Sequence, residues 1–327
     1  MTVPIRKVLI TGAAGFIGSH LTEACVAAGY DVTVLVRYNS RGTRGWLDGL
    51  DATRRVQVLA GDIRDTDMVD RAVRGVDTIF HLAALIGIPY SYESPLAYVK
   101  TNVEGTTNIL MAARTHEVGN VILTSTSETY GSAQRVPMDE SHPAVGQSPY
   151  AATKIAADQL GLSFFRSFGL GVKVVRPFNT YGPRQSLRAI VPTLIAQMMT
   201  GGEVALGNVR PTRDLTYVTD TVAGFLAVAR AESLAGMAVN VGMNHEISIG
   251  DLASLIARLM GVSPRVRSAA ERVRPAASEV DRLVCDNSLL VNSTDWRPAH
   301  TLESGLRETI AWFQREGAAA RATDYHI

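Results

Sequence analysis

The segment Thr11-Gly12-Ala13-Ala14-Gly15-Phe16-Ile17-Gly18 constrains the fold of this chain more than any other. It follows Val8-Leu9-Ile10, whose unbroken hydrophobicity is that of a strand buried on both faces of a parallel sheet. It runs directly into a helical pattern over residues 16–28. In that setting each glycine has a task. Gly12 allows a tight turn, Gly15 lets backbone N–H groups approach a pyrophosphate, and Gly18 lets helix and strand pack closely. A glycine-rich turn often serves only the turn, but here strand, spacing and helix coincide. The segment predicts a dinucleotide-binding unit, with Gly12, Gly15, Phe16, Ile17 and Gly18 against the cofactor.

Further β-branched runs at 31–36, 56–60, 78–81, 121–124 and 172–176 alternate with helical patterns at 66–74, 95–116 and 150–168. This alternation predicts an α/β fold, a Rossmann-type doubly wound parallel sheet. After Pro177 it loosens into helices near 189–200, 219–231, 248–260 and 302–316, with short strands around 214–218 and 238–241. The expected division is a dinucleotide domain over 1–178 plus about 208–242, and a smaller C-terminal substrate-binding lobe over about 179–207 and 243–327. A small-residue tail, Gly317-Ala318-Ala319-Ala320, follows the last helix.

Composition narrows the function classes. With 32 Lys+Arg against 31 Asp+Glu the net charge is +1, so no strong field favours nucleic acid or an acidic membrane. Cys25 and Cys285 lie in ordinary helix- and strand-like sequence with no Cys/His cluster, which suggests neither a disulfide framework nor a metal site. No apolar run reaches the roughly 20 residues that span a bilayer. The N-terminus runs straight into a strand pattern without a signal-like segment, so a cytoplasmic enzyme is expected.

Three loops carry the remaining cofactor contacts. Many NAD binders place an acid at the end of the second strand to accept the ribose hydroxyls. This chain has Val36-Arg37-Tyr38-Asn39-Ser40-Arg41 there. A 2′-phosphate clamp by Arg37, with Asn39 and Ser40 beside it, favours NADP over NAD; the alternative is a solvated arginine at a strand end. In Gly61-Asp62-Ile63, Asp62 is placed to meet the adenine amino group, or to cap the helix that starts near Asp65. His81-Leu82-Ala83-Ala84 ends the fourth strand with Leu82, Ala83 and Ala84 against the cofactor, His81 reading as a packed strand-end residue.

The chemistry is concentrated in Thr126-Ser127-Glu128 and Tyr150-Ala151-Ala152-Thr153-Lys154. Tyr-x-x-x-Lys puts a phenol and an ammonium one helical turn apart on one face, where the cation can lower the phenol's pKa and make it a base. Glu128 adds a second proton-transfer group, which simple alcohol oxidation does not need.

These motifs, with Arg176-Pro177-Phe178-Asn179, resemble the extended short-chain dehydrogenase/reductases along almost the whole chain. The resemblance implies a Rossmann enzyme acting on nucleotide-diphosphate sugars. Sugar 4-epimerases of that family commonly carry small residues where this chain has Ser127-Glu128, whereas Thr-Ser-Glu is similar to GDP-mannose 4,6-dehydratases. Leu85-Ile86-Gly87-Ile88-Pro89-Tyr90-Ser91-Tyr92 is similar to dehydratases of legionaminic-acid-type aminosugar pathways.

The implied reaction is 4,6-dehydration. Tyr150, aided by Lys154 and Thr126, takes the C4 hydroxyl proton as hydride leaves C4. Glu128 removes the C5 proton as the C6 hydroxyl departs, and hydride returns to C6. Ser127 is a poor donor to that hydroxyl, which leaves Glu128 itself or a water as the source. A 4-epimerase and a 5,6-dehydratase are the competing enzyme readings, and a cofactor-sensing protein is the non-catalytic one. For the diphosphate sugar, the resemblance implies Asn179, Arg213 and Arg274, the two arginines as guanidinium clamps. It also implies a homodimer in which the helices at 95–116 and 150–168 form a four-helix bundle across a two-fold axis.

Overall fold

The computed structural model describes residues 5–201, 203–269 and 280–316. The Ala-rich tail and Arg274 lie outside the described residues.

Strands β1 (Lys7–Thr11), β2 (Asp31–Val36), β3 (Val56–Ala60), β4 (Thr78–His81), β5 (Asn120–Thr124) and β6 (Val172–Pro177) fall where the β-branched runs predict them. Helices α1 (Phe16–Ala27) and α2 (Thr66–Val73) lie in the first half of that series. Then come α3 (Ile88–Glu93), α4 (Pro95–Tyr98), α5 (Gly105–Thr115) and α6 (Pro149–Phe168). The helix expected over 95–116 is continuous but not uniform: Val99–Glu104 is π-helical between α4 and α5. Ser148 caps α6, its side chain accepting from Ala151 N at 3.1 Å, with Pro149 in the first turn.

Beyond β6 lie β7 (Asn179–Tyr181), α7 (Ile190–Met199), β8 (Glu203–Leu206), β9 (Thr212–Tyr217) and α8 (Val218–Arg230). They are followed by β10 (Ala238–Val241), β11 (Glu246–Ser248), α9 (Ile249–Met260), β12 (Arg265–Ser268), α10 (Ser288–Ser293) and α11 (Leu302–Arg315).

The large sheet has the order β10-β6-β5-β4-β1-β2-β3, every pair parallel. Side chains of β1 alternate between two cores, as the two-residue period of a strand requires. Val8 and Ile10 join Leu21, Val26, Phe225 and Val228 beneath α1 and α8. Leu9 joins Val69, Ile109, Leu110 and Leu162 beneath α2, α5 and α6. Helices therefore cover both faces, which is the doubly wound Rossmann arrangement. Strand order reverses between β1 and β4, so the cleft that such sheets use for ligands opens above the C-terminal ends of these two strands.

A second, three-stranded sheet, β11-β9-β7, lies on a core of Tyr181, Leu194, Ile195, Leu252, Ile256 and Phe313. Thus β9 pairs within this smaller sheet while β10 extends the large one. The lobes are tied together beside the cofactor helix. Arg184 Nη1 donates to Glu23 Oε2 at 2.6 Å and Ser19 Oγ at 3.2 Å, and His20 Nε2 meets Pro183 O at 3.1 Å. No helix among the described residues is long and apolar enough to cross a membrane.

Candidate active site

The glycine turn is built as a cradle. Gly12 has φ +73°, a conformation open chiefly to glycine. A Cβ there would stand 2.7 Å from the Ala83 nitrogen, so turn and β4 exit meet backbone to backbone. A Cβ on Gly18 would lie 2.2 Å from Gly12 O. Thr11 fastens the same junction, its Oγ1 accepting from Ala83 N at 3.1 Å and meeting His81 Nδ1 at 2.8 Å. The other ring nitrogen of His81 meets Thr106 Oγ1 at 3.1 Å. Burial, and then the nearby Lys154, push His81 down to about 3, so it is a neutral strut. The N-terminus of α1 begins at Gly15 with no side-chain cap and no acid in its first turn. Its free N–H groups and positive dipole end suit a pyrophosphate, so the residues fit the dinucleotide that the sequence implies.

The ribose loop behaves differently from its sequence reading at one position. Arg37 and Ser40 are exposed at the end of β2, but the Asn39 side chain is spent on the loop itself. Its Oδ1 accepts from Arg41 N at 3.1 Å and Thr43 N at 3.4 Å, and its Nδ2 donates to Thr43 O at 2.7 Å. Asparagine in a short loop readily closes such a turn. The same loop then docks on the glycine turn, a contact the sequence reading missed. Trp46 N donates to Ala14 O at 3.1 Å, and the Trp46 ring stands edge-on to Trp312 of α11 at 5.5 Å. The conspicuous Gly45-Trp46 pair was the available signal.

Asp62 is not a helix cap. Asp65 caps α2, accepting from Asp67 N and Met68 N, and Asp62 is held by Arg64 instead. Arg64 Nη2 donates to Asp62 Oδ2 at 2.6 Å. These hydrogen bonds outweigh partial burial and hold the carboxyl below its usual range. Ile63 is buried behind it against Gly105.

Beyond β5 the chain forms a single 3-10 turn, Ser127–Tyr130, capped by Thr126, whose Oγ1 accepts from Glu128 N at 3.2 Å. The Thr126 side chain also hydrogen-bonds the Tyr150 phenol. Thr126, Glu128 and Tyr150 are thus brought together, with Ser127 buried behind them. Burial pushes the Tyr150 phenol above its usual value; the Thr126 hydrogen bond opposes this, while the charges of Glu128 and Asp158 add to it. Lys154 is not the direct partner that the i, i+4 spacing suggests. Its Nζ donates to Thr124 O at 2.5 Å, and burial, partly offset by Asp158, brings it down to about 8. The Tyr-x-x-x-Lys spacing places the two groups on one face without fixing where the lysine donates.

Two residues that sequence reasoning missed shape the wall opposite. The Tyr98 ring stands edge-on to Tyr150 at 6.3 Å, and its hydroxyl donates to Gly87 O at 2.5 Å. Asn102, in the π-helical segment, accepts from Leu85 N at 2.8 Å and donates to Leu85 O at 2.9 Å and Thr153 Oγ1 at 3.1 Å. Together they fix the 85–87 backbone beside the phenol, and π-turns often mark such sites.

On the substrate side, Asn179 of β7 pairs with Leu215 of β9, two residues beyond Arg213, so Asn179 and Arg213 lie on adjacent strands. Asn179 Oδ1 is buried without a hydrogen-bond partner among the described residues, an unmet acceptor that a bound donor would satisfy. Arg213 is buried, and its Nη1 donates to Thr212 O and Val280 O, both at 2.8 Å. Asp214 accepts from Met243 N at 2.8 Å, Cys285 N at 3.1 Å and His245 N at 3.3 Å; burial pushes it up to about 6. It orders the neighbouring loops. Among the described residues no group of three or more His, Cys, Asp or Glu is placed to hold a metal.

The profile of the GDP-mannose 4,6 dehydratase family matches residues 9–309. A dTDP-glucose 4,6-dehydratase of Streptomyces antibioticus is 32% identical over 94% of this chain and 92% of its own. A UDP-N-acetyl-alpha-D-glucosaminuronate decarboxylase of Bacillus cytotoxicus is 33% identical over 94% of this chain and 98% of its own. Among solved structures, the dTDP-glucose 4,6-dehydratase DesIV of Streptomyces venezuelae, crystallised with NAD, superposes with a TM-score of 0.84 at 30% identity, covering 94% of this chain and 97% of that one.

Proposed function

The chain belongs to the GDP-mannose 4,6 dehydratase family of extended short-chain dehydrogenase/reductases, and from that premise we propose that it is an NDP-hexose 4,6-dehydratase. It is an NAD(P)-dependent enzyme of nucleotide-sugar metabolism; the reaction within that class is the proposal. The observation that carries it is Glu128, on the capped turn whose Thr126 hydrogen-bonds Tyr150. An acid so close to an oxidising base supports elimination after oxidation, for which epimerisation has no use.

Bound NAD(P) supplies the hydride acceptor and donor, held by Gly12, Gly15, Phe16, Ile17, Gly18, Asp62, Ile63, Leu82, Ala83 and Ala84. Tyr150 takes the C4 hydroxyl proton, with Thr126 orienting that oxygen. A phenol pushed up by burial releases its proton only in a positive field, which Lys154, one helical turn along α6, and a bound oxidised nicotinamide would provide. Glu128 takes the C5 proton, made acidic by the 4-ketone, as the C6 hydroxyl leaves. Asn179 and Arg213 hold the diphosphate sugar. The product is an NDP-4-keto-6-deoxyhexose. The test is incubation with UDP-, GDP- and dTDP-hexoses followed by mass spectrometry. Loss of one water with no net cofactor reduction supports the reading; an isobaric product overturns it in favour of epimerisation.

NADP is the proposed cofactor, because the exposed Arg37 stands at the end of β2 in a loop without an acid. Arg37→Ala should weaken NADP binding about tenfold or more, the worth of a charge-assisted hydrogen bond, while leaving NAD binding unchanged. Fluorescence titration with both nucleotides checks this; equal losses for both would remove the 2′-phosphate role. The proposed homodimer is supported by Leu96, Val99 and Met111, which stand exposed on the helical run from α4 to α5.

A further inference from the structure

Helix α6 carries a third ionisable group in line with the first two. Tyr150, Lys154 and Asp158 occur at i, i+4 and i+8 and all are buried, so they share one inward face. Lys154 and Asp158 reach the end of β5 at consecutive residues. Lys154 Nζ donates to Thr124 O at 2.5 Å, and Ser125 Oγ donates to Asp158 Oδ2 at 2.7 Å. Arg176 of β6 completes the cluster, its Nε and Nη2 donating to the same Oδ2 at 3.1 and 3.0 Å. Three donors converging on one oxygen is the pattern of an ionised carboxylate.

Burial pushes the Asp158 carboxyl above its usual range, opposed first by the charge of Arg176, then by the Ser125 hydrogen bond and the charge of Lys154. Arg176 does not give up its proton, whereas a buried lysine does so readily. Among the described residues, the ionisable groups gathered around the face of Tyr150, Lys154 and Asp158 are few. Asp158 and Tyr150 lie on the same helix as Lys154, Arg176 on β6, and Glu128 on the turn after β5. His81 on β4 is held neutral, and Tyr98 packs against Tyr150. Of these, Asp158 supports the ammonium through its charge, against the burial that brings it down to about 8.

We propose that Asp158 is a positioning residue, the buried counter-charge that keeps Lys154 an ammonium beside Tyr150, with Arg176 setting how much of that charge Lys154 receives. The link to catalysis rests on the dehydratase reading; the link between Asp158 and Lys154 does not. Two measurements therefore separate them.

The first is a carbon-NMR titration of the lysine ε-carbons in the enzyme with NADP. The chain has four lysines, Lys7, Lys100, Lys154 and Lys173, so Lys154→Arg assigns the resonance. Asp158→Asn should move the Lys154 titration to lower pH by roughly one unit or more, the usual effect of losing a close opposite charge. Arg176→Gln should move it upward, because Asp158 then answers to Lys154 alone, and Asp158→Glu should leave it nearly in place. The second measurement is the pre-steady-state reduction of the nicotinamide by whichever of the UDP-, GDP- or dTDP-hexoses turns over. The pH at which its rise levels off should follow the same three shifts.

A merely structural role would lower the rates without moving either profile, and so would overturn the inference. So would Asp158→Asn and Arg176→Gln shifting Lys154 in the same direction. Should Asp158→Asn not fold, the upward shift in Arg176→Gln and the unmoved Asp158→Glu decide the matter. If the Lys154 titration shifts as stated but none of those hexoses reduces the cofactor, the counter-charge stands and the dehydratase reading falls.

Discussion

Tyr150→Phe is expected to lower the rate of C4 oxidation by about 10²–10⁴, the range for losing a positioned acid–base group. That is a rise of roughly 3–5 kcal/mol in the barrier. The substitution removes only the hydroxyl that Thr126 hydrogen-bonds. The ring keeps its edge-on contact with Tyr98, at 6.3 Å in the native protein. Thermal unfolding should therefore change little, which separates a lost base from a lost fold. The native enzyme's pH profile adds a second constraint. A phenol held high by burial must be deprotonated to act, so oxidation rises with pH. The rise then stops and the rate levels off as Lys154, at about 8, loses its charge. Stopped-flow measurement of nicotinamide reduction in both proteins checks the rate and the profile. A Phe variant within tenfold of the native rate would assign the base to another group, and Thr126 would be the first to examine.

The architecture was largely legible because each strand and helix carries its own periodicity. The apolar Val8-Leu9-Ile10 could only be a doubly buried strand, and the three glycines after it only a close turn. The place of the site was legible too, since Thr126, Glu128 and Tyr150 do converge. What failed to show was the partner each polar side chain chooses. Asp62 and Asp65 both precede α2, and spacing does not say which of them reaches two N–H groups. Asn39 looks like a ribose ligand until its loop closes on it. Lys154 is one turn from Tyr150, but its direction depends on the end of β5, some 30 residues back. Tyr98 and Asn102 were missed for the same reason, as their targets at Gly87, Leu85 and Tyr150 meet them only in three dimensions. Periodicity reports burial; it does not report hydrogen bonds between distant segments.

Glu128→Gln should separate the two halves of the proposed reaction. The backbone N–H of Glu128, not its side chain, holds the turn by donating to Thr126 Oγ1 at 3.2 Å, so the isosteric amide leaves that geometry standing. Tyr150 should then still oxidise C4, and reduced nicotinamide should appear on mixing with substrate. Water loss should fall by about 10²–10⁴, because an amide does not take the C5 proton. Solvent deuterium is the sharper probe. The native enzyme should place deuterium at C5 of the product, whereas the variant should return unlabelled sugar on reversal. Retention of the native elimination rate would show that Glu128 is not the C5 base. A variant that exchanges C5–H but does not lose water would have kept the base and lost the proton donor to the departing C6 hydroxyl. That second outcome bears on Ser127, which lies buried beside Glu128. A serine hydroxyl is too weak an acid to protonate a leaving group unaided. In that outcome Glu128 would be the donor and another group the C5 base; in the expected one Glu128 takes the C5 proton and hands it to the C6 oxygen, one residue serving first as base and then as acid.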